Sequence, residues 1–193
     1  EYLDREYLSD FDVSDVDIHA NIERQAAFDK PVYETKPYAI TEDESLEDNT
    51  YLSYNAVIGT SVDAKLYLAF QILDYALVMT PGAPVKQALL DAGISTDVYS
   101  SYETSLYQPV YSIVAKNSNS KEQDRFVSVI NDTLEKLVKD GINERTIEAG
   151  INYYEFKYRE ADYGPYPKGL MYYLTMMDSW LYDETKPFIH IEA

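Results

Sequence analysis

The chain has 193 residues, of which 46% are hydrophobic and 26% are charged, a balance that indicates a folded domain and excludes a disordered one. Its 34 acidic residues against 16 basic ones give a formal net charge of −18, which disfavours nucleic acid and anionic membranes as partners. Cysteine is absent, so disulfides and thiol catalysis are excluded. We find no apolar run of the roughly 20 residues that span a membrane, and therefore expect no membrane contact.

The N-terminal 30 residues are acidic and only weakly periodic. We predict that residues 1–30 are a linker or lead-in with about one turn of helix, and that residues 31–193 form a single domain. The chain begins with a charged segment at Glu1, which is unlike a signal peptide. Because Glu1 is also not a methionine, we expect a polypeptide that was processed or cut from a longer one.

The next segments indicate extended structure. Residues 32–40 are expected to be an edge strand or a crossover segment, because Pro37 cannot donate a ladder hydrogen bond. Residues 51–59 alternate between apolar and polar side chains and predict a strand. Residues 98–105 and 107–116 predict two further strands in an antiparallel hairpin.

Helices occupy the rest of the chain. Apolar residues recur at helical spacing from residue 63 until the Thr80-Pro81-Gly82 break, and a second short helix is predicted from Pro84 to a left-handed cap at Gly93. Three later helices are predicted, with these start signals: Ser120 and Gln123 as a capping box, Asn143 as an N-cap, and Pro167 opening a helix that ends near Tyr182. This order predicts an α+β fold, with a mostly antiparallel sheet and helices packed on one face.

Catalytic signatures are weak throughout the sequence. Zinc catalysis needs about three protein ligands, and the two histidines, His19 and His190, stand near opposite ends and lack a paired-histidine motif. We interpret both as surface histidines. No serine elbow or glycine-rich phosphate loop is recognisable, and with 34 acids any carboxylate pair is uninformative. We predict no catalytic residue and no metal ligand in this chain.

One predicted strand offers a binding function instead. Residues 97–104 include Ser100 and Ser101, small side chains past which another backbone can approach closely. An exposed strand edge accepts an extended peptide as an additional strand. The alternative is an ordinary interior strand or a protected edge, since proteins usually shield their edges.

Ordered segments across residues 49–187 carry a family resemblance: Asn49-Thr-Tyr-Leu-Ser53, Ile72-Leu-Asp-Tyr75, Thr80-Pro-Gly82, Gln108-Pro-Val-Tyr-Ser-Ile113, Arg159-Glu-Ala-Asp-Tyr-Gly-Pro-Tyr-Pro-Lys-Gly169 and Ser179-Trp-Leu-Tyr182. They resemble the presequence-protease branch of the insulinase and pitrilysin superfamily of zinc metallopeptidases. The resemblance implies a mitochondrial-processing-peptidase-like domain fold. It identifies the chain as similar to the second, noncatalytic domain.

The resemblance also implies a function for the parent protein. Zinc would sit in the parent's first domain, which carries a His-x-x-Glu-His motif, and peptides would be degraded inside a closed chamber that this domain helps to form. The fragment alone is expected to be inactive, with other domains of the same polypeptide and peptide substrates as partners, and self-association is possible. The compartment would be the cytoplasm in a bacterium, or the mitochondrial matrix or plastid in a eukaryote. The alternative is a stand-alone peptide-binding or scaffold domain.

A substrate-anchoring exosite is implied at one place in the second domain. The matching positions are Val98, Tyr99, Ser100, Ser101 and Tyr102, beside Met79 and Thr80. The family site has a glycine pair and a histidine–glutamate pair, whereas this chain has serines and Met79-Thr80.

Overall fold

A computed structural model describes residues 1–12 and 23–191. The lead-in contains a short helix, α1 (Tyr2–Glu6), and a 3₁₀ turn at Leu8–Asp10. Residues 32–39 are exposed and residues 32–40 form no strand, so the edge-strand alternative is wrong there. Pro37 explains part of this outcome, because proline has no N–H for a ladder.

The regular elements follow the predicted order. They are β1 (Thr50–Val57), α2 (Ala64–Asp74), α3 (Pro84–Asp91), β2 (Asp97–Glu103), β3 (Val110–Ser118), α4 (Gln123–Asp140), α5 (Glu144–Glu160) and α6 (Lys168–Trp180). A π-helical segment, Tyr75–Met79, continues directly from α2. The lead-in is attached to the β2–β3 loop, because the Gln25 N–H donates to Gln108 Oε1 at 2.7 Å and Gln108 Nε2 donates to the Gln25 carbonyl at 3.1 Å.

The sheet is antiparallel, with β3 between β1 and β2. The register places Leu52 and Val98 on either side of Ala115, and all three are buried. The alternate residues face the other way, and there Tyr51 and Tyr99 are exposed. One face of the sheet is therefore covered, and the other is open along β1 and β2.

The core forms between this covered face and the helices. Helix α4 contributes Phe126 and Ile130, and α3 contributes Val85 and Leu89, all of them buried against the sheet. The predicted α+β class, with an antiparallel sheet and helices packed on one face, is confirmed.

The helix ends show which of the predicted start and stop residues are correct. Pro84 opens α3, Gly93 has a left-handed φ of 65°, and the Asn143 side chain accepts N–H bonds at the start of α5, all as predicted. The capping box at Ser120 is wrong. Residues Ser120–Glu122 form a 3₁₀ turn and α4 begins only at Gln123, which places Ser120 outside the N-cap position.

The segment Ala64–Asp91 is long and apolar enough to cross a membrane by length and composition, contrary to our estimate from the sequence. It is not one continuous helix, because it is interrupted between the π-helical segment and α3. Its apolar side chains Leu77, Val78, Val85 and Leu89 belong to the core cluster. Packing in the core of this fold thus accounts for part of its hydrophobicity.

Candidate functional site

The outer edge of β2 is the first feature of the site. Strand β2 pairs with β3 along one side, and no strand pairs with its other side within residues 1–12 and 23–191. Strand β1 occupies the opposite edge of the same sheet. An unpaired edge presents backbone N–H and C=O groups that can bind another extended chain.

An open groove of about 220 Å³ runs beside this edge. Three of its lining residues are consecutive in β2, namely Val98, Tyr99 and Ser100. Because consecutive side chains of a strand point to opposite faces, all three can line one groove only if it follows the edge of the strand. The opposite wall consists of Val78, Met79 and Lys86.

The π-helical segment shapes that opposite wall. Within it Val78 is buried, while Met79 is 47% exposed. Single π turns inserted in α-helices occur frequently at functional sites, because they displace side chains relative to a regular helix. The turn therefore presents Met79 to the groove while its neighbour remains in the core.

A buried carboxyl group lies where the π-helical segment begins. The hydroxyl of Tyr111 donates to Asp74 Oδ1 at 2.9 Å, and both residues are buried. Burial raises the pKa of Asp74, and hydrogen bonds from the Ser100 and Tyr111 hydroxyls partly oppose this rise. Asp74 thus links α2, β3 and the groove strand beneath the surface.

Four of the seven predicted exosite residues line the groove, namely Met79, Val98, Tyr99 and Ser100. Ser101 and Tyr102 continue along β2, and Thr80 directly follows the π-helical segment. Sequence reasoning missed Val78 and Lys86, which the fold brings to the same groove. No local pattern indicated either residue, because their place in the groove depends on how α3 and the π-helical segment lie against β2.

Lys86 supplies the charge in the groove. It is the one charged residue among the six described residues that line it. Its Nζ lies 3.9 Å from Asp97 Oδ1, and its side chain is only 30% exposed. This is a long ion pair that leaves ammonium hydrogens free to contact a ligand.

The donor set does not fit a catalytic zinc ion. In the part of the chain that the structure describes, no three histidine, aspartate or glutamate side chains lie close enough together to hold a metal. His19 lies outside the described residues. No step of zinc chemistry can therefore be assigned to the described side chains, since a catalytic site needs about three ligands.

His190 is buried, so its interpretation as a surface histidine is wrong. It is 3% exposed and stacks on Tyr67 of α2 at 3.9 Å, because the chain after α6 returns to that helix. Burial lowers the pKa of His190. No sequence signal indicated this contact, which joins residues far apart in the chain.

Other polar groups lie around His190. The hydroxyls of Tyr67 and Thr104 lie 3.5 and 3.4 Å from Asp178 Oδ2, and burial raises the pKa of Asp178 to about 6. A small cavity of about 80 Å³ adjoins His190 and is lined by tyrosines of α5 and α6 and of the loop between them. The residues around this cavity are different from those of the groove beside β2.

Comparison with known proteins identifies the class to which this fold belongs. The family described as the Peptidase M16 inactive domain matches residues 1–154. The chain therefore belongs to the inactive-domain family of the M16 peptidases.

Two curated relatives extend the comparison. Protein HypA of Clostridium perfringens is 42% identical over 192 residues, covering all of this chain and 19% of that protein. Presequence protease 1 of Arabidopsis thaliana, chloroplastic/mitochondrial, is 31% identical over 180 residues, covering 92% of this chain and 17% of that protein. This chain thus spans less than a fifth of either relative, and its resemblance to presequence proteases is confirmed.

Solved structures support the fold independently of sequence. A protein from Bordetella parapertussis, described as the inactive peptidase domain of a zinc protease, superposes with a TM-score of 0.60 at 13% identity, covering 74% of this chain and 75% of that one. A zinc protease structure from Bordetella pertussis gives a TM-score of 0.59 at 14% identity, covering 74% and 77%. At such identities the agreement concerns the fold.

Proposed function

We propose that this chain serves as the noncatalytic domain of a longer zinc-dependent metallopeptidase that degrades peptides. The zinc ion and its ligands would lie in another domain of that polypeptide. The membership in an inactive peptidase family and the small share of each relative that the chain covers support this proposal over a stand-alone domain.

The specific role that we propose is anchoring an extended peptide along the outer edge of β2. The observation that carries it is the groove of about 220 Å³ beside an unpaired strand. Main-chain hydrogen bonds would supply affinity, and the groove walls would receive alternate side chains of the peptide. Strand β1, the other edge of the same sheet, serves as an internal control.

A second part of the proposal concerns the other domains. Large apolar side chains are exposed on the α5–α6 side, and surfaces of this kind usually mark contacts with other protein surfaces. Examples are Phe156, Tyr166, Tyr173, Leu174 and Leu181. They would pack against neighbouring domains of the same polypeptide and help to close a peptide chamber. Without those domains, the same surface would favour self-association of the chain.

Binding of backbone-methylated peptides tests the edge directly. Along an added strand, alternate N–H groups face the neighbouring strand while the others face away. Two labelled peptides of one sequence, one N-methylated at odd positions and the other at even positions, should therefore differ in their affinity for the chain. We expect one to lose binding and the other to retain it, as measured by fluorescence anisotropy.

A pair of matched variants identifies the edge that is used. Tyr99→Ala in β2 should weaken binding several-fold, whereas Tyr51→Ala in β1 should not, although the two tyrosines are 44% and 43% exposed. Equal tolerance of both methylation patterns, or equal effects of the two substitutions, would contradict anchoring at β2.

A further inference from the structure

The groove beside β2 contains a cation in a strongly acidic protein. Acidic residues outnumber basic ones by 34 to 16, yet the single charged residue among the described residues that line the groove is Lys86. Its aliphatic stem lies among apolar side chains, since Val78 and Val98 line the same groove and are buried. A lysine placed in this way keeps its ammonium group at the open side of the groove.

The ammonium group of Lys86 is incompletely paired. Asp97 Oδ1 is 3.9 Å from Nζ, at the outer limit of an ion pair and beyond hydrogen-bonding distance. Asp97 is itself exposed, so water screens much of the attraction between the two groups. A ligand carboxylate that reached Nζ directly could form a shorter, charge-assisted hydrogen bond.

We propose that Lys86 makes the groove selective for extended peptides that carry a carboxylate. This inference rests on the proposed anchoring of peptides at β2, and it specifies the chemistry of the bound segment. The carboxylate would meet Lys86, and an apolar side chain two residues away would lie on the same side of the peptide and meet Met79 or Tyr99. The carboxylate can belong to an acidic side chain or to the peptide's C-terminus.

Asp97 would act as an internal competitor in this arrangement. It is the carboxylate paired with Lys86 in the described ion pairs and would compete with a peptide carboxylate for the ammonium group. Specificity is a difference between two affinities, so Asp97 reduces the preference for acidic peptides while leaving neutral peptides unaffected. Removing its charge should therefore increase the selectivity of the groove.

The test uses short labelled peptides of one apolar, strand-forming sequence. The first has a central Glu and an amidated C-terminus, the second has Gln at that position, and the third combines Gln with a free C-terminal carboxylate. Anisotropy should show the Glu peptide binding about five-fold tighter than the amidated Gln peptide, the size of a partly exposed ion pair. The third peptide shows whether a terminal carboxylate is accepted in place of the side chain. The preference should decrease as salt is added.

Two variants decide whether Lys86 is responsible. Lys86→Met keeps the apolar stem and removes the charge, so it should abolish the Glu preference and bring the affinities for the Glu peptide and the amidated Gln peptide to the same value. Asp97→Asn should increase the ratio of the affinity for the Glu peptide to that for the amidated Gln peptide. Circular dichroism of both variants, compared with the unsubstituted chain, verifies that they are folded.

The possible results distinguish carboxylate selectivity from the proposed anchoring of peptides at β2. Equal affinity for the Glu peptide and the amidated Gln peptide, or a Glu preference that persists in Lys86→Met, would overturn carboxylate selectivity while leaving anchoring at β2 intact. Failure of all three peptides to bind would overturn both proposals.

Discussion

A second carboxyl group whose pKa is raised by burial, that of Asp178, lies away from the groove. Asp178 lies in α6 within reach of two hydroxyls and near His190, in a site where burial disfavours charge. Burial raises its pKa from 3.8 to about 6. The folded state therefore binds this proton more tightly than the unfolded chain does.

Substitution of Asp178 by Asn should remove the dependence of stability on pH that comes from this proton. Because the folded pKa exceeds the unfolded value, the stabilising contribution of Asp178 is fully present below about pH 4 and is lost as the pH rises through about 6. Asp178→Asn should thus raise the free energy of unfolding at neutral pH by on the order of 1 kcal/mol, with the gain vanishing towards pH 4. Denaturant unfolding across this pH range measures the difference.

Asp183→Asn is a control for which the expected effect on stability depends on pH in the opposite direction. Hydrogen bonds from Thr185 lower the pKa of Asp183, so its contribution is present at neutral pH and is lost on acidification. A pH-independent difference between Asp178→Asn and the unsubstituted chain would contradict the account of the C-terminal cluster.

At the scale of elements, α5 packs closely on α2 and the π-helical segment through a glycine. A Cβ on Gly150 would lie 3.2 Å from Tyr75 Cδ1 and 3.3 Å from Ile72 Cγ2. The absence of a side chain at residue 150 therefore sets the approach of these helices. That approach in turn positions the π-helical wall of the groove.

Gly150→Val should destabilise the protein by about 1–3 kcal/mol, because the added atoms overpack this contact. Gly169→Val in α6 is the matched control, since a Cβ there meets no atom within 4 Å, and a change below about 0.5 kcal/mol is expected. Thermal or denaturant unfolding compares the two variants. Similar changes at both positions would contradict the role of close packing at Gly150.

The elements that could be predicted from sequence are those fixed by local signals. Pro84, Gly93 and Asn143 impose backbone geometry or capping within a few residues, and the structure follows them. The burial of His190 could not be predicted, since it depends on a contact with Tyr67 across most of the chain.

Some residues of the candidate site could likewise be predicted from the sequence, and others could not. The edge strand β2 and Met79 were expected from the sequence, and the groove includes them. The place of Lys86 in that groove depends on how α3 lies against β2, which no local pattern encodes.

The predicted capping box at Ser120 is wrong for a different reason. The residues that the pattern assigned to the first turn of the helix form a 3₁₀ turn instead.

At the scale of the whole molecule, we propose that the chain supports peptide hydrolysis without performing it. The described side chains hold no cluster suited to a metal, and the family is one of inactive peptidase domains. The net charge of −18 would also give any chamber wall formed by this domain an acidic surface. Such a surface steers cationic peptides by long-range attraction, whereas Lys86 would act only at short range.

Metal content and peptidase activity, measured together on the purified chain, test this claim most directly. Elemental analysis should find no stoichiometric zinc, and a quenched fluorescent peptide should stay intact with or without added zinc. One tightly bound zinc ion per chain, accompanied by cleavage that a chelator abolishes, would contradict the account.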